Sequence, residues 1–375
     1  MLNFTELEKY LNVIGDAYGI KAFDIAVRKN HKEVFRKKYG FSDYAQTKPV
    51  SENDMQWVYS MTKVITCTSA MRLVERGLLN LDAPVSDYLP EYANLKVKKD
   101  GKIVPAENKM LIRHLFAMRS GMNYDLASPS LKKARENKNA TTRELVRAMA
   151  NEPLEFEPGT SYQYSLSHDV LAAVIEVISG MTFFEYLKKE LFIPLGMNNT
   201  VFSPTVEQLE RASAQYLYDP YRFKCLPTGS GCAYRLSENY ESGGAGLYTT
   251  NDDYMKVIDA LANHGVAENG YQVLKPETID LMRENQQTPA ELPSMKPGYT
   301  YAYGVRVMQN KVLGESLSPV GEFGWDGAAC SYCLADTENN LAIVFTTNIL
   351  GFGGRCYSEI HPHIRNLVYL GLEEE

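Results

Sequence analysis

No apolar run in this 375-residue chain approaches the roughly 18 residues of a membrane-spanning helix. No membrane span is therefore expected. Positive charge is not in surplus either: 39 Lys and Arg stand against 46 Asp and Glu, a net charge of -7. Binding nucleic acid needs a basic face, so nucleic acid is not an expected partner. Met1 to Tyr18 carries Glu6, Glu8 and Lys9 among its apolar residues and lacks the basic start and apolar core of a signal peptide. The expected compartment is the cytoplasm. Internal repeats and low-complexity tracts are also missing.

Cysteine is sparse. Cys67, Cys225, Cys232, Cys330, Cys333 and Cys356 are expected to be reduced in a cytoplasmic protein. Cys330 and Cys333 have the spacing of a redox pair. They lie in a strand-like run, however, where residues three apart point to opposite faces. Cys225 and Cys232 lie in a Gly-rich loop and could pair only in an oxidising compartment. His361-Pro362-His363 has no accompanying cluster of ligands, so no metal or cofactor is expected.

What is present is an ordinary globular composition, 45% hydrophobic and 23% charged, enough for a sizeable core without staples. Residues 3–18 read as an amphipathic helix, with Phe4, Leu7, Leu11, Ile14 and Tyr18 at helical spacing. Ala22 to Val27 and Glu33 to Tyr39 read as strands joined by a polar turn. From Ser60 a helix presents Val64, Cys67, Met71, Val74 and Leu78 on one buried face, with Gly77 near its end. Residues 81–239 read as helix and loop, clearest as helix over 166–189, with few strand signals. Strand-like runs return at Tyr303 to Met308, Ala329 to Ala335 and Leu341 to Thr347, before a closing helix over 358–371. The Pro- and Gly-rich loop 287–300 reads as a mobile flap. The expected architecture is one sheet built from both ends of the chain, with a helical lobe inserted and a cleft between them.

Ser60-Met61-Thr62-Lys63 carries the clearest chemistry. A serine and a lysine three residues apart share one face of a helical turn. A serine hydroxyl needs a base within hydrogen-bond reach, and a buried lysine can serve, so the pair reads as a serine acyl-transfer site. Tyr164, in Tyr164-Ser165-Leu166, could take or give a proton beside it. Gly324-Trp325-Asp326-Gly327-Ala328 precedes an apolar strand. A glycine there lets backbone N–H groups face a carbonyl, and an acyl-transfer site needs two such donors. Ser60 N–H at its helix start and Ala328 N–H are the candidates. Tyr124, Tyr216, Tyr218, Tyr221, Tyr299 and Tyr301 could line an aromatic pocket, though filler is the better reading for most.

In this order and spacing the segments resemble the serine β-lactamase-related superfamily, in particular class C enzymes and family VIII carboxylesterases. Leu78 to Val85, Ile112-Arg113-His114-Leu115, Pro158-Gly159-Thr160, Leu195-Gly196-Met197 and Gly243 to Thr250 extend the resemblance over about residues 57–347. It implies an α/β (α+β) fold of the β-lactamase/transpeptidase type. Helices flank an antiparallel sheet made from both termini, and a mostly helical lobe is inserted. Residues 1–375 would form a single catalytic domain, with a sheet lobe over about 1–80 and 240–375 and a helical lobe over about 81–239. Ser60 is implied as the acylated nucleophile, Lys63 as the neighbouring base and Tyr164 as the proton carrier. Gly327 and Ala328 are implied as the oxyanion strand. His114, Asp82 and the Gly243–Gly246 run are implied as scaffold.

Two departures bear on substrate. Leu166 stands where β-lactamases place an asparagine amide, and it cannot donate that hydrogen bond. Trp325 stands where they place a lysine and offers an apolar wall without charge. Asp326 beside it would repel an anionic substrate, unless strand alternation turns it away. Both departures fit the esterase-like branch. The implied function is a serine hydrolase acting on small esters or amides through an acyl-enzyme, most directly a carboxylesterase on short-chain esters. An acyltransferase, a β-lactamase or D-amino-acid peptidase, and a non-catalytic binding relative are the alternatives. Oligomeric state is open.

Overall fold

The computed structural model describes residues 2–229 and 231–372. Helix α1 (Thr5–Tyr18) ends at Gly19, whose φ of 70° is the left-handed conformation that a glycine adopts without steric cost. Strands β1 (Ala22–Lys29) and β2 (Lys32–Gly40) form the expected hairpin. Helix α2 (Thr62–Glu75) follows a 3-10 turn at Tyr59–Met61. In the middle of the chain lie α3 (Ser167–Ser179) and α4 (Asn251–Ala262). The last third supplies β3 (Tyr299–Tyr301), β4 (Arg306–Met308), β5 (Phe323–Asp326), β6 (Tyr332–Asp336) and β7 (Leu341–Thr347), then α5 (His361–Leu370).

These strands form a seven-stranded sheet in the order β2-β1-β7-β6-β5-β4-β3, with every neighbouring pair antiparallel. Both ends of the chain meet at its centre, where Ile25 pairs with Phe345. Strand β7 is buried on both faces. Ala342 and Val344 enter one core with α2, α3 and α4, while Leu341, Ile343 and Phe345 enter another with Leu7 and Leu11 of α1 and Ile364 of α5. That is why this strand reads as a continuous apolar run rather than an alternating one.

Several sequence expectations shift at their ends for local reasons. The run at 303–308 becomes strand only from Arg306, because Gly304 turns at φ 88° against Cys67. The run at 329–335 becomes strand only from Tyr332, because Cys330 at φ 68° closes a turn onto Gly327 O. The helix over 166–189 breaks at Gly180 and restarts at Phe183 under a Thr182 cap. Residues 81–239 also hold two short hairpins, Lys96–Lys99 with Lys102–Pro105 and Tyr216–Asp219 with Lys224–Pro227. The loop 287–300 is pinned rather than free: Glu291 pairs with Arg119, and Lys296 pairs with Asp326.

One expectation is corrected. Cys330 and Cys356 form a disulfide, with Cα atoms 5.7 Å apart, so the six cysteines are not all reduced; the other four are free. Cys330 falls on the α5 side of the sheet and Cys333 on the α2 side, so these two do not pair. No single described helix is long and apolar enough to cross a membrane.

Candidate active site

Ser60 lies in the turn that opens α2. Tyr59, just before it, adopts a φ of 46°, a costly conformation for a bulky residue. Burial of its ring and a hydrogen bond from its hydroxyl to Gln215 hold it there. Ser60 itself is half-buried.

Lys63 is fully buried one turn further on, and its side-chain nitrogen has three oxygens around it. Nζ donates to Gly244 O at 2.6 Å, to Ser60 Oγ at 3.3 Å and to Tyr124 OH at 3.4 Å. Tyr164 reaches Ser60 from the other side, donating its hydroxyl to Oγ at 2.6 Å. The three sequence-predicted residues thus converge on one oxygen. Tyr164 stacks between Tyr124, with centroids 5.4 Å apart, and Trp325, at 5.9 Å. Lys63 Nζ lies 4.5 Å from the Tyr164 ring centroid. Burial, and Tyr164 nearby, push the Tyr124 hydroxyl well above its usual range, so it stays a phenol.

Strand β5 packs on the Tyr59–Met61 turn. Gly327 explains how it comes so close: a Cβ there would lie 2.5 Å from Val58 O. Only glycine lets the backbone approach at that point. Ala328 follows, half-buried, and its N–H makes no hydrogen bond within the described residues. Trp325 is more than an apolar wall, because its Nε1 donates to Tyr164 OH at 3.5 Å.

Asp326 turns away from this group. It is buried and paired with Arg306 at 3.0 Å and Lys296 at 3.0 Å, with His361 Nδ1 at 3.4 Å. Burial alone would raise its pKa, but Arg306 and Lys296, with His361, hold it well below the usual carboxylate range. It is therefore a structural anion, not a repelling wall. Beside this network a cavity of about 570 Å³ is lined by Lys296, Arg306, Tyr332, Tyr357 and His361. The Tyr357 hydroxyl donates to Gly327 O at 3.2 Å, tying that cavity wall to the end of β5.

Leu166 is buried in the large core beside a crevice with Met122, Leu131 and Leu154, and takes no part in the hydrogen-bonded cluster. His114 accepts the Leu111 N–H at 3.2 Å within its own helix start, and burial lowers its pKa to about 4. Asp82 holds Arg113 at the surface. Both are scaffold. In the Gly243–Gly246 run, a Cβ on Gly243 would meet His168 O at 2.3 Å, so close packing requires the glycine. Of the other tyrosines, Tyr221 is exposed, Tyr216 belongs to the second core, Tyr218 packs on Phe352, and Tyr299 binds Glu322. Tyr301 is buried edge-on against Trp325. Sequence reasoning missed the contacts of Tyr124 and Gly244 with Lys63, because no local spacing links them to residue 63.

A serine at a helix start, with a lysine one turn on and a tyrosine across the cleft, is the layout of a serine acyl-transfer site. The Beta-lactamase family model matches residues 7–358, and the chain belongs to that family. It is 32% identical to the lovastatin esterase of Penicillium rubens over 86% of this chain and 87% of that protein. It is 28% identical to esterase EstB of Burkholderia gladioli over 86% and 85%. Among solved structures, EstCE1, described as a hydrolase with promiscuous acyltransferase activity, superposes with a TM-score of 0.82 at 24% identity, covering 97% of each chain.

Proposed function

We propose that the protein is a serine hydrolase of the carboxylesterase type, cleaving short-chain esters through an acyl-enzyme on Ser60. The observation that carries this reading is the approach of Tyr164 OH to Ser60 Oγ at 2.6 Å with Lys63 Nζ at 3.3 Å. Ser60 Oγ attacks the ester carbonyl carbon, and its proton passes to the Lys63–Tyr164 pair. The carbonyl oxygen takes up the negative charge against the Ser60 and Ala328 N–H groups. The tetrahedral intermediate then expels the alcohol, which leaves with that proton. A water gives a proton to the same pair, attacks the acyl carbon and releases the acid, and Ser60 recovers its proton.

The departures at the second and third motifs favour a neutral ester. Trp325 and the stacked tyrosines offer aromatic surface without charge. Asp326 is already satisfied by two cations. The two esterase-named relatives agree with this reading. Location in the cytoplasm belongs to the same proposal, and cell fractionation tests it.

Transfer of the acyl group to an alcohol instead of water is the second reading, since one acyl-enzyme serves either acceptor. The test is to incubate the protein with 4-nitrophenyl butyrate and with nitrocefin, using Ser60→Ala as the blank. Butyrate turnover lost in the variant, with little nitrocefin cleavage, is the expected result. Strong nitrocefin cleavage would shift the assignment to a β-lactamase. Ester products formed from added alcohols would establish transfer.

A further inference from the structure

Beneath Lys63 lies a carboxylate that the scheme above does not use. Asp169, in the first turn of α3 and five residues after Tyr164, is fully buried. Its Oδ1 accepts from Tyr240 OH at 2.6 Å and from Ser242 Oγ at 2.6 Å, with Gly244 N–H further off at 3.4 Å. Its Oδ2 has no hydrogen-bond partner among the described residues. A buried carboxylate without an ion-pair partner is costly unless a positive charge lies close by.

That charge is Lys63. A Cβ placed on Gly244 would sit 2.6 Å from Asp169 Oδ2, 3.2 Å from Tyr124 OH and 3.4 Å from Lys63 Nζ. The three groups therefore surround one point, which the missing side chain of Gly244 leaves open. Apart from Tyr164, which is the Ser60 partner itself, the other titratable groups facing Lys63 carry no negative charge. His168 is neutral, its pKa lowered to about 3 by burial and by Lys63. Burial holds the Cys67 thiol well above its usual range. Tyr92 and Tyr240, which face Asp169, are likewise held as phenols, chiefly by burial. Among these groups Asp169 is the carboxylate.

Resting on the acyl-enzyme reading, we propose that Asp169 is the counter-charge that keeps Lys63 an ammonium, and so a positioning residue for the Ser60 reaction. The base that takes the Ser60 proton is then the Tyr164 oxygen, once its own proton has left to solvent. The Lys63 ammonium stays charged throughout and offsets the negative charge as it moves between Tyr164 and Ser60. Asp169 itself transfers no proton and touches no substrate. Its hydrogen bonds to Tyr240 and Ser242 fix which way its second oxygen faces.

The experiment is the rate of Ser60 labelling by a fluorophosphonate, followed by intact mass across about pH 5 to 10, for the wild type, Asp169→Asn and Ser242→Ala. In Asp169→Asn the alkaline limb of the profile is expected to move down by about one pH unit, because the ammonium loses its partner. Ser242→Ala keeps the charge, so it should lower thermal stability and leave the limb in place. An unmoved profile in a folded Asp169→Asn would overturn the proposal. If Asp169→Asn does not fold, the wild type still decides. With ¹³Cε-labelled lysine, the Lys63 signal should remain that of an ammonium at about pH 8, and a neutral amine there sinks the idea. A wild type that is never labelled at Ser60 would instead defeat the acyl-enzyme reading itself.

Discussion

At the scale of single residues, the site is a stack of three aromatic rings with one serine at its edge. Tyr164→Phe keeps the stack and removes the proton carrier. Its kcat on 4-nitrophenyl butyrate should fall by about 10²–10⁴-fold with KM little changed, and full turnover would remove Tyr164 from the chemistry. Trp325→Phe keeps an aromatic wall but deletes the N–H aimed at the Tyr164 oxygen. A neutral hydrogen bond of about 1 kcal/mol corresponds to a loss of about fivefold in kcat, measurable on the same ester. Ser60, Lys63 and Tyr164 were legible in the sequence because helical spacing joins the first two and a short motif marks the third. The direction of Asp326 was not legible. It depends on the phase of β5 and on Lys296, thirty residues away along the chain, whose approach no local pattern records.

At the scale of elements, the helix start and the oxyanion strand must touch. Gly327 is where they do, against Val58 O. Gly327→Ala should force β5 outward, costing about 10²-fold in kcat through the displaced Ala328 N–H, while far-UV circular dichroism stays native. An active Gly327→Ala enzyme would mean that the second oxyanion donor lies elsewhere. The strands were legible from their apolar runs, and α1 from its 3.6-residue period. Helix α2 was read as having one buried face, yet it is buried on nearly every side, Thr66, Thr68 and Ser69 included. Polar residues at its non-periodic positions masked this. Thr66 and Ser69 satisfy their hydroxyls on backbone carbonyls, as when Ser69 Oγ donates to Ile65 O at 2.7 Å, and so they can enter a core.

At the scale of the whole molecule, acid should destabilise the fold partly through His168. This residue is fully buried, donates to Phe116 O at 3.1 Å, and has its pKa lowered to about 3, first by burial and then by Lys63. An unfolded histidine titrates near 6.5, so between about pH 6.5 and 3 the unfolded chain binds more protons than the folded one. Stability is therefore lost as pH falls through that window, by up to about 1.4 kcal/mol per pH unit from this residue. Glu176 acts in the opposite sense, because burial raises its pKa to about 7 and its native form keeps a proton. Comparing urea unfolding of wild type and His168→Gln at about pH 7 and 5 cancels the shared Glu176 contribution. The variant should lose less stability on acidification, and equal losses would show that His168 is not the sensor.

The enclosure of α2 carries a last consequence. Backbone amides exchange with solvent through local opening where a segment is poorly packed, and only through global unfolding where it is packed on all sides. The helix that presents Ser60 belongs to the second kind. Its amides should be among the slowest in the protein to exchange for deuterium. Turnover and the cooperative loss of structure should then vanish at the same urea concentration, because no looser intermediate can keep the fold while letting the nucleophile drift.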